Sequence, residues 1–296
     1  MNTVTSITPH LHAATGAARS IGDILVATGR LSAEDAARIL LRQQKDNLQF
    51  GDAALALKLL TKADIDFALS KQFDYAYLSE QDASLSPALV AAYKPFSIVG
   101  ENLRAVRSQL MLRWFNGAPM HKALAVVSPG RGDGRSFVSA NLAIVFAQQG
   151  QRTLLIDGDL RASSSQGQHA LFKLGKGAGL SGILADRANL EAALPVPGLP
   201  YLSVLPSGAM PPNPQELLGR PSFDQLLLCA GEKFDVIILD TPCGNEYADA
   251  EIIASRAGAA LMVARKNKSL VPQATQMARR LQDCGVALVG SVLNDD

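Results

Sequence analysis

The stretch Ala123–Arg161 decides the fold. It reads ALAVV (123–127), SPGRGDGRS (128–136), FVSANLAIVFAQQG (137–150) and QRTLLIDGDLR (151–161). The first apolar run predicts a short buried strand, and the glycine-rich segment after it predicts a tight turn. A helical pattern begins at Ser136, with Phe137, Leu142, Ile144, Val145 and Phe146 apolar. A second apolar run, Leu154–Ile156, ends in Asp157 and Asp159. Strand, glycine loop, helix, strand and acidic turn, in that order, suit an anion, because a helix N-terminus presents free N–H groups and a positive dipole end. Gly130, Gly132 and Gly134 let the backbone approach phosphate oxygens and adopt positive φ. Ser136 is placed to offer its hydroxyl to Mg²⁺.

The loop departs from G-x-x-x-x-G-K-[ST]. Arg135 occupies the lysine position, Pro129 the first glycine position, and Gly130 follows one step later. Arginine keeps the charge but is a planar fork, larger than an ammonium. Asp133 adds a negative charge that must point away from the phosphates or towards a metal. Alone, the loop also fits an ordinary glycine-rich strand-to-helix turn. The carboxylates tip the balance. FDVIILDTP (234–242) is a further apolar strand, ending in Asp240. Asp157, Asp159 and Asp240 at the ends of parallel strands supply hard oxygen ligands beside the loop, which predicts an Mg·nucleotide site.

The chain has 296 residues and a net charge of +1, which gives no bulk argument for nucleic acid. Its three cysteines, Cys229, Cys243 and Cys284, lack metal or disulfide spacing and fit a reducing cytosol. The N-terminus lacks an apolar signal core, and no apolar run approaches the ~20 residues of a membrane span. A cytoplasmic location is expected, with any membrane association coming through a partner.

Residues 1–18 are expected to be disordered. From Ser20 the sequence repeats: SIGDILVATGRLSAEDAARILLRQQ is echoed by QFGDAALALKLLTKADIDFALSKQF. Gly22 maps to Gly51, Leu31 to Leu60, Ser32 to Thr61, Asp35 to Asp64 and Gln43 to Gln72, always 29 positions apart. A shared interval indicates structural duplication. Ser32 and Thr61 read as N-caps, so each copy is a short helix, a turn and a longer helix. The expected divisions are a helical repeat domain at 19–78, a linker at 79–100 with breakers at Ser86-Pro87 and Lys94-Pro95, and a nucleotide domain at 101–296.

The repeat resembles the MshEN-type N-terminal domain of type II secretion and pilus ATPases, whose members with intact motifs bind cyclic-di-GMP. Gly22, Gly29, Leu31, Leu40 and Gln43 match its first motif copy, and Gly51, Leu60, Phe67, Leu69 and Gln72 fit the second approximately. The motif's arginine is Ser20 in one copy and Gln49 in the other, and Lys58 replaces an inner glycine. These departures favour a structural or partner-docking role over cyclic-di-GMP at residues 20–72.

A helix is predicted after the linker from Leu103, Val106, Leu110 and Met111. It carries Glu101, Arg104 and Arg107 near one face, which also reads as an ordinary solvated face. That E-x-x-R-x-x-R triplet resembles a feature of bacterial tyrosine kinases, where it lies between subunits of a ring. SPGRGDGRS, LLIDGDLR and ILDTP stand where that family has its Walker A, Walker A′ and Walker B motifs, and LPSGAMPPNPQELLGR (205–220) is similar to another family stretch. The layout is most similar to the exosortase-associated chain-length-determinant kinases (EpsG-type). The resemblance implies a P-loop fold of the MinD/ParA kind: a doubly wound, mostly parallel α/β sheet, here with a small all-α N-terminal domain. It implies ATP and Mg²⁺ as cofactors, a role in exopolysaccharide chain length, polymerisation and export, and a membrane polysaccharide co-polymerase as partner to a homo-oligomer.

By the same resemblance, Asp157, Asp159 and Arg135 are catalytic, with Asp157 receiving the hydroxyl proton. Gly130, Gly132, Gly134, Arg135 and Ser136 bind nucleotide, and Asn294 lies against adenine. Ser136, Asp157 and Asp240 organise the metal, while Glu101, Arg104 and Arg107 form the oligomer contact. The family's tyrosine-rich tail is not seen in SVLNDD; Tyr75, Tyr77 and Tyr93 are the candidate acceptors, with packing the competing role. Two other readings remain: a nucleotide-dependent scaffold without kinase activity, and a MinD/ParA-like positioning ATPase. The second is disfavoured because Ser128-Pro129-Gly130 lacks the early lysine of that family.

Overall fold

Two helix pairs follow directly from the 29-residue echo. The computed structural model describes residues 20–72, 75–79, 81–162, 167–175 and 177–295, so the disorder expected for 1–18 lies outside the described residues. The chain divides into two compact units, Met1–Tyr75 and Ala76–Asp296.

In the first unit, α1 (Ile21–Ala27) and α2 (Ala33–Asp46) form one copy, and α3 (Phe50–Ala56) and α4 (Lys62–Gln72) the other. Ser32 Oγ accepts from Asp35 N at 3.0 Å and Thr61 Oγ1 from Asp64 N at 3.3 Å, the two expected N-caps. Ser20 adds a reciprocal cap with Asp23 at the start of α1. The buried core is Ile24, Leu25, Leu31 and Ile39 from one copy and Ala53, Ala54, Leu60 and Ala68 from the other, four pairs each separated by the repeat interval. Helix α1 packs on α4 and α2 on α3. The first copy's large side chains thus meet the second copy's alanines, and neither pair can cover its apolar stripe alone.

The second unit opens with α5 (Val90–Tyr93) and α6 (Ile98–Arg113), then β1 (Ala123–Val127), α7 (Arg135–Ala147) and β2 (Thr153–Asp157). It continues through α8 (Gln168–Leu171), α9 (Gly179–Leu184), β3 (Leu194–Pro195), β4 (Leu202–Leu205), α10 (Pro214–Leu218) and α11 (Pro221–Lys233). β5 (Val236–Asp240), α12 (Asp249–Ala257), β6 (Ala259–Arg265), α13 (Val271–Asp283) and β7 (Ala287–Asn294) complete it. The strands form one sheet in the order β3-β4-β2-β5-β1-β6-β7, parallel except where β3 meets β4. Alternate residues of each central strand enter different cores: Leu124 and Val126 face one, and Ala123, Ala125 and Val127 the other. Covering both faces explains why these strands read as unbroken apolar runs.

Residues 79–100 correct the expected linker. Leu85, Leu89, Ala91, Ala92 and Tyr93 are buried in the core beside α7. The buried amide of Asn141 accepts from Ala91 N at 2.8 Å and donates to Ala88 O at 3.2 Å, and Gln148 Nε2 donates to Ala76 O and Ala91 O. Breaker residues bend this segment, but buried leucines, each worth about 2 kcal/mol, fasten it. Tyr93 is buried and donates its hydroxyl to Leu85 O, which gives it a packing role.

Candidate active site

The ends of β1, β5 and β2 lie side by side, and this adjacency builds the site. β1 pairs with β5 and β5 with β2, in a register that sets Asp157 directly opposite Asp240. The loop after β1 leads into α7 through Gly132 (φ 72°) and Gly134 (φ 100°). A Cβ on Gly134 would lie 2.3 Å from Asn294 Nδ2, so only glycine permits this close approach. Arg131, Gly132, Arg135, Ser136, Asp157 and Asp240 line a polar cleft of about 530 Å³, with Asp159 among its walls.

Its floor consists of buried carboxylates. Burial, and then the neighbouring Asp240 charge, pushes Asp157 up to about 8. Asp240 is also raised by burial, against the pull of the Arg135 charge and hydrogen bonds from Ser136 and Gln168. Asp159 is only half-buried; burial raises it, while the backbone N–H of Arg161 and the charge of Arg135 oppose the shift. The expected trio is therefore a pair with an outlying third. Among the described residues no group of three or more His, Cys, Asp or Glu side chains is assembled to hold a metal. The donor set still fits Mg²⁺, which binds through one or two carboxylates together with phosphate oxygens and water. Ser136 and Asp240 offer a hydroxyl and a buried carboxyl group.

Arg135 binds the loop to the strand ends. Its Nε donates to Thr241 O at 2.8 Å, and its Nη1 donates to Ser128 Oγ and to Gly130 O at 3.0 Å. These bonds use Nε and Nη1 and leave Nη2 for the cleft that the residue lines. Two expected nucleotide contacts are engaged elsewhere. Gly130 N donates to Asp133 Oδ2 at 2.8 Å, so the Asp133 carboxylate turns away from the cleft into the back of the loop. Asn294 Nδ2 donates to Asp133 O at 3.2 Å and braces the loop. Glu101, Arg104 and Arg107 lie on α6 and do not line the cleft. Arg104 pairs with the exposed Glu101, and Arg107 Nη1 donates to Val145 O at 3.0 Å.

The rim carries ion pairs that the motifs did not indicate. Arg131 makes a two-point pair with Glu246, whose carboxyl it holds below the usual range. Arg161 pairs with the buried Asp249 at 2.7 Å and stacks 4.0 Å from the Tyr247 ring centroid. Gln168 lies beneath, fully buried, bonded to both floor carboxylates. Its only sequence signal was its place in the polar, glycine-rich stretch after Arg161.

Known proteins resemble this chain in sequence and fold. The chain is 34% identical over 206 residues to the tyrosine-protein kinase YwqD of Bacillus subtilis, covering 70% of this chain and 85% of that protein. The chain belongs to the bacterial tyrosine kinase family. It is also 32% identical over 220 residues to the putative tyrosine-protein kinase CapB of Staphylococcus aureus, covering 73% of this chain and 92% of the relative. Against a putative tyrosine-protein kinase in the cps region of Klebsiella pneumoniae, 33% identity spans 73% of this chain but 29% of that longer protein. Among solved structures, the kinase domain of the Escherichia coli tyrosine kinase Etk superposes with a TM-score of 0.66 at 31% identity, covering 74% of this chain and 89% of that one. MinD of Pyrococcus horikoshii, at 23% identity and a TM-score of 0.50 over 58% of this chain and 69% of that one, shares the fold. No protein-family model matches the chain.

Proposed function

We propose that this protein transfers the γ-phosphate of Mg·ATP to a tyrosine hydroxyl and acts in exopolysaccharide production. One observation carries the reading: a glycine loop with Arg135 and Ser136 opens onto Asp157 and Asp240, paired in register, in a chain of the tyrosine kinase family. The loop amides of Gly132 and Gly134, Arg135 Nη2 and Ser136 hold the phosphates. Ser136 and Asp240 would hold Mg²⁺, which when bound would supply positive charge to the phosphate oxygens. The tyrosine oxygen forms a bond to the γ-phosphorus, the bond to the β–γ bridging oxygen breaks, and ADP leaves. Asp157 receives the hydroxyl proton, a role suited to a carboxylate whose burial strengthens its hold on protons.

The polysaccharide context draws support from the relative named for a cps region. The proposed partner is the cytosolic tail of a membrane polysaccharide co-polymerase, which would bring a cytoplasmic kinase to the inner membrane. Among the described residues, no helix is long and apolar enough to cross a membrane. Self-association through Glu101, Arg104 and Arg107 belongs to the same proposal, and the exposure of Glu101 on α6 supports it. For the helical repeat, the structural or partner-docking role is retained over cyclic-di-GMP, because Ser20 and Gln49 stand at helix N-caps where the motif has arginine.

A second reading, an ATP-dependent scaffold, is favoured by the three bonds that hold Arg135 to the loop and Thr241. Calorimetry with Mg·ATP on the native chain and on Asp157→Ala, followed by phosphotyrosine detection with the co-polymerase tail added, separates the two. Binding with phosphotyrosine supports the kinase. Binding with ATP-dependent assembly but no phosphotyrosine supports the scaffold. No binding overturns both.

A further inference from the structure

Gln168 occupies the space between the groups assigned to the metal. Its backbone N–H donates to Asp157 Oδ2 at 2.8 Å. Its side-chain Nε2 donates to Asp240 Oδ2 at 2.7 Å and to Ser136 O at 3.2 Å. The residue is fully buried, and its Oε1 has no hydrogen-bond partner. A buried amide oxygen without a partner carries an unrecovered desolvation cost, so this placement requires compensation. The compensation is electrostatic: two carboxylates that repel each other in a dry site each gain an N–H donor.

Gly167 makes the approach feasible. It adopts φ +106°, and a Cβ there would lie 2.6 Å from Asp157 Oδ2. Any side chain would drive the segment off the carboxylate. Helix α8 then continues inward, with Gln168 as its first residue.

Resting on the Mg·ATP reading above, we propose that Gln168 is a positioning residue that stands in for the cation. Its N–H groups hold Asp157 and Asp240 in place while the site is free, and they compete with Mg²⁺ for Asp240. Loading the site therefore requires the Gln168 carboxamide to withdraw. The competition sets the Mg²⁺ concentration at which the kinase loads nucleotide, and Gly167 sets its strength. The residue acts through the carboxylates, not on the reacting atoms.

Mg²⁺ alone and Mg·ADP are titrated by calorimetry and by thermal shift against the full chain, Gln168→Ala, Gln168→Met and Gly167→Ala. Gln168→Met keeps the length and packing of the side chain but has no donor, which covers failure of the alanine variant to fold. Removing one charge-assisted donor should lower the half-saturating Mg²⁺ concentration about tenfold in all three variants, and lower KM for Mg·ATP with it. A residue that serves packing alone would shift the melting temperature without moving the Mg²⁺ midpoint, and that result overturns the inference. A higher midpoint overturns it too, since Gln168 would then assist the cation. If the parent binds Mg·ATP and the variants bind it identically, this inference alone fails. If neither parent nor variants take up Mg²⁺ or nucleotide, the Mg·ATP reading fails and the inference with it.

Discussion

The helical repeat and the floor of the cleft are both buried, but burial does opposite work in them. In the repeat, Ile24, Leu25, Leu31 and Ile39 meet Ala53, Ala54, Leu60 and Ala68, and each contact lowers the folded state's free energy. In the floor, Asp157 and Asp240 are equally shielded, and shielding raises both carboxyls above their ordinary range. The repeat stores stability. The floor stores an unmet demand for positive charge, which a bound cation would satisfy. A site of this kind weakens the free protein so that binding can strengthen it.

The largest test exchanges one kind of burial for the other. Asp157→Asn keeps the shape and removes the charge. Phosphotyrosine formation should fall about 10³-fold, the usual worth of a positioned proton acceptor. The Mg²⁺-free protein should become more stable. Asp157 holds its proton more tightly folded than unfolded, so the parent's stability is greatest below the unfolded value of 3.8 and falls as pH rises towards about 8. The variant lacks this loss. The gap between their melting temperatures should open above pH 4 and stop widening above about pH 8. A gap that is constant with pH would mean the floor carries no such strain.

The next test breaks the other side of the comparison. Leu25 is fully buried, and Leu25→Ala should cost about 3 kcal/mol of repeat stability by leaving a cavity. Mg·ATP affinity measured by calorimetry should be unchanged. A parallel loss of affinity would show that the repeat does more than dock or brace.

The two regions also differed in how much the sequence told. The repeat's helices and caps were legible because duplication states the same pattern twice, and its buried apolar side chains obey the 29-residue interval without exception. The sheet was legible because double-sided burial makes continuous apolar runs, and each run that ended in aspartate marked a strand at the cleft. Residues 79–100 misled because Pro87 and Pro95 signal a bend whether or not the bend is buried; the fastening comes from Asn141 and Gln148, far along the chain. Gln168 and the Arg161–Asp249 pair were invisible for the same reason. Their partners are set by tertiary folding, and no spacing in the sequence encodes them.

Arg135 stands between the two regimes, since it serves both structure and charge. Arg135→Lys exchanges a fork that holds Thr241 O, Ser128 Oγ and Gly130 O for a single ammonium with freedom to turn. The expected outcome is about tenfold faster phosphoryl transfer, equivalent to ~1.4 kcal/mol in the transition state, with a melting temperature slightly lowered by the lost ties. Slower transfer would assign the guanidinium a phosphate contact that an ammonium cannot reproduce.

The smallest effect lies where the repeat breaks its own symmetry. Gly29 turns at φ +71°, and the equivalent residue in the second copy, Lys58, turns at φ +53°. The fold demands the same left-handed turn twice, but only one copy has the residue that takes it without penalty. For a residue with a Cβ this conformation costs roughly 1–2 kcal/mol, and glycine returns part of that by loosening the unfolded chain. Lys58→Gly should therefore stabilise the protein by about 0.5 kcal/mol in urea unfolding, and Gly29→Lys should destabilise it by a similar or larger amount. Opposite signs at two positions related by the repeat would establish that the turn, not the side chain, is what the duplication preserves. If Lys58→Gly destabilises, the lysine contributes something its glycine twin does not, and the second copy has acquired a role of its own.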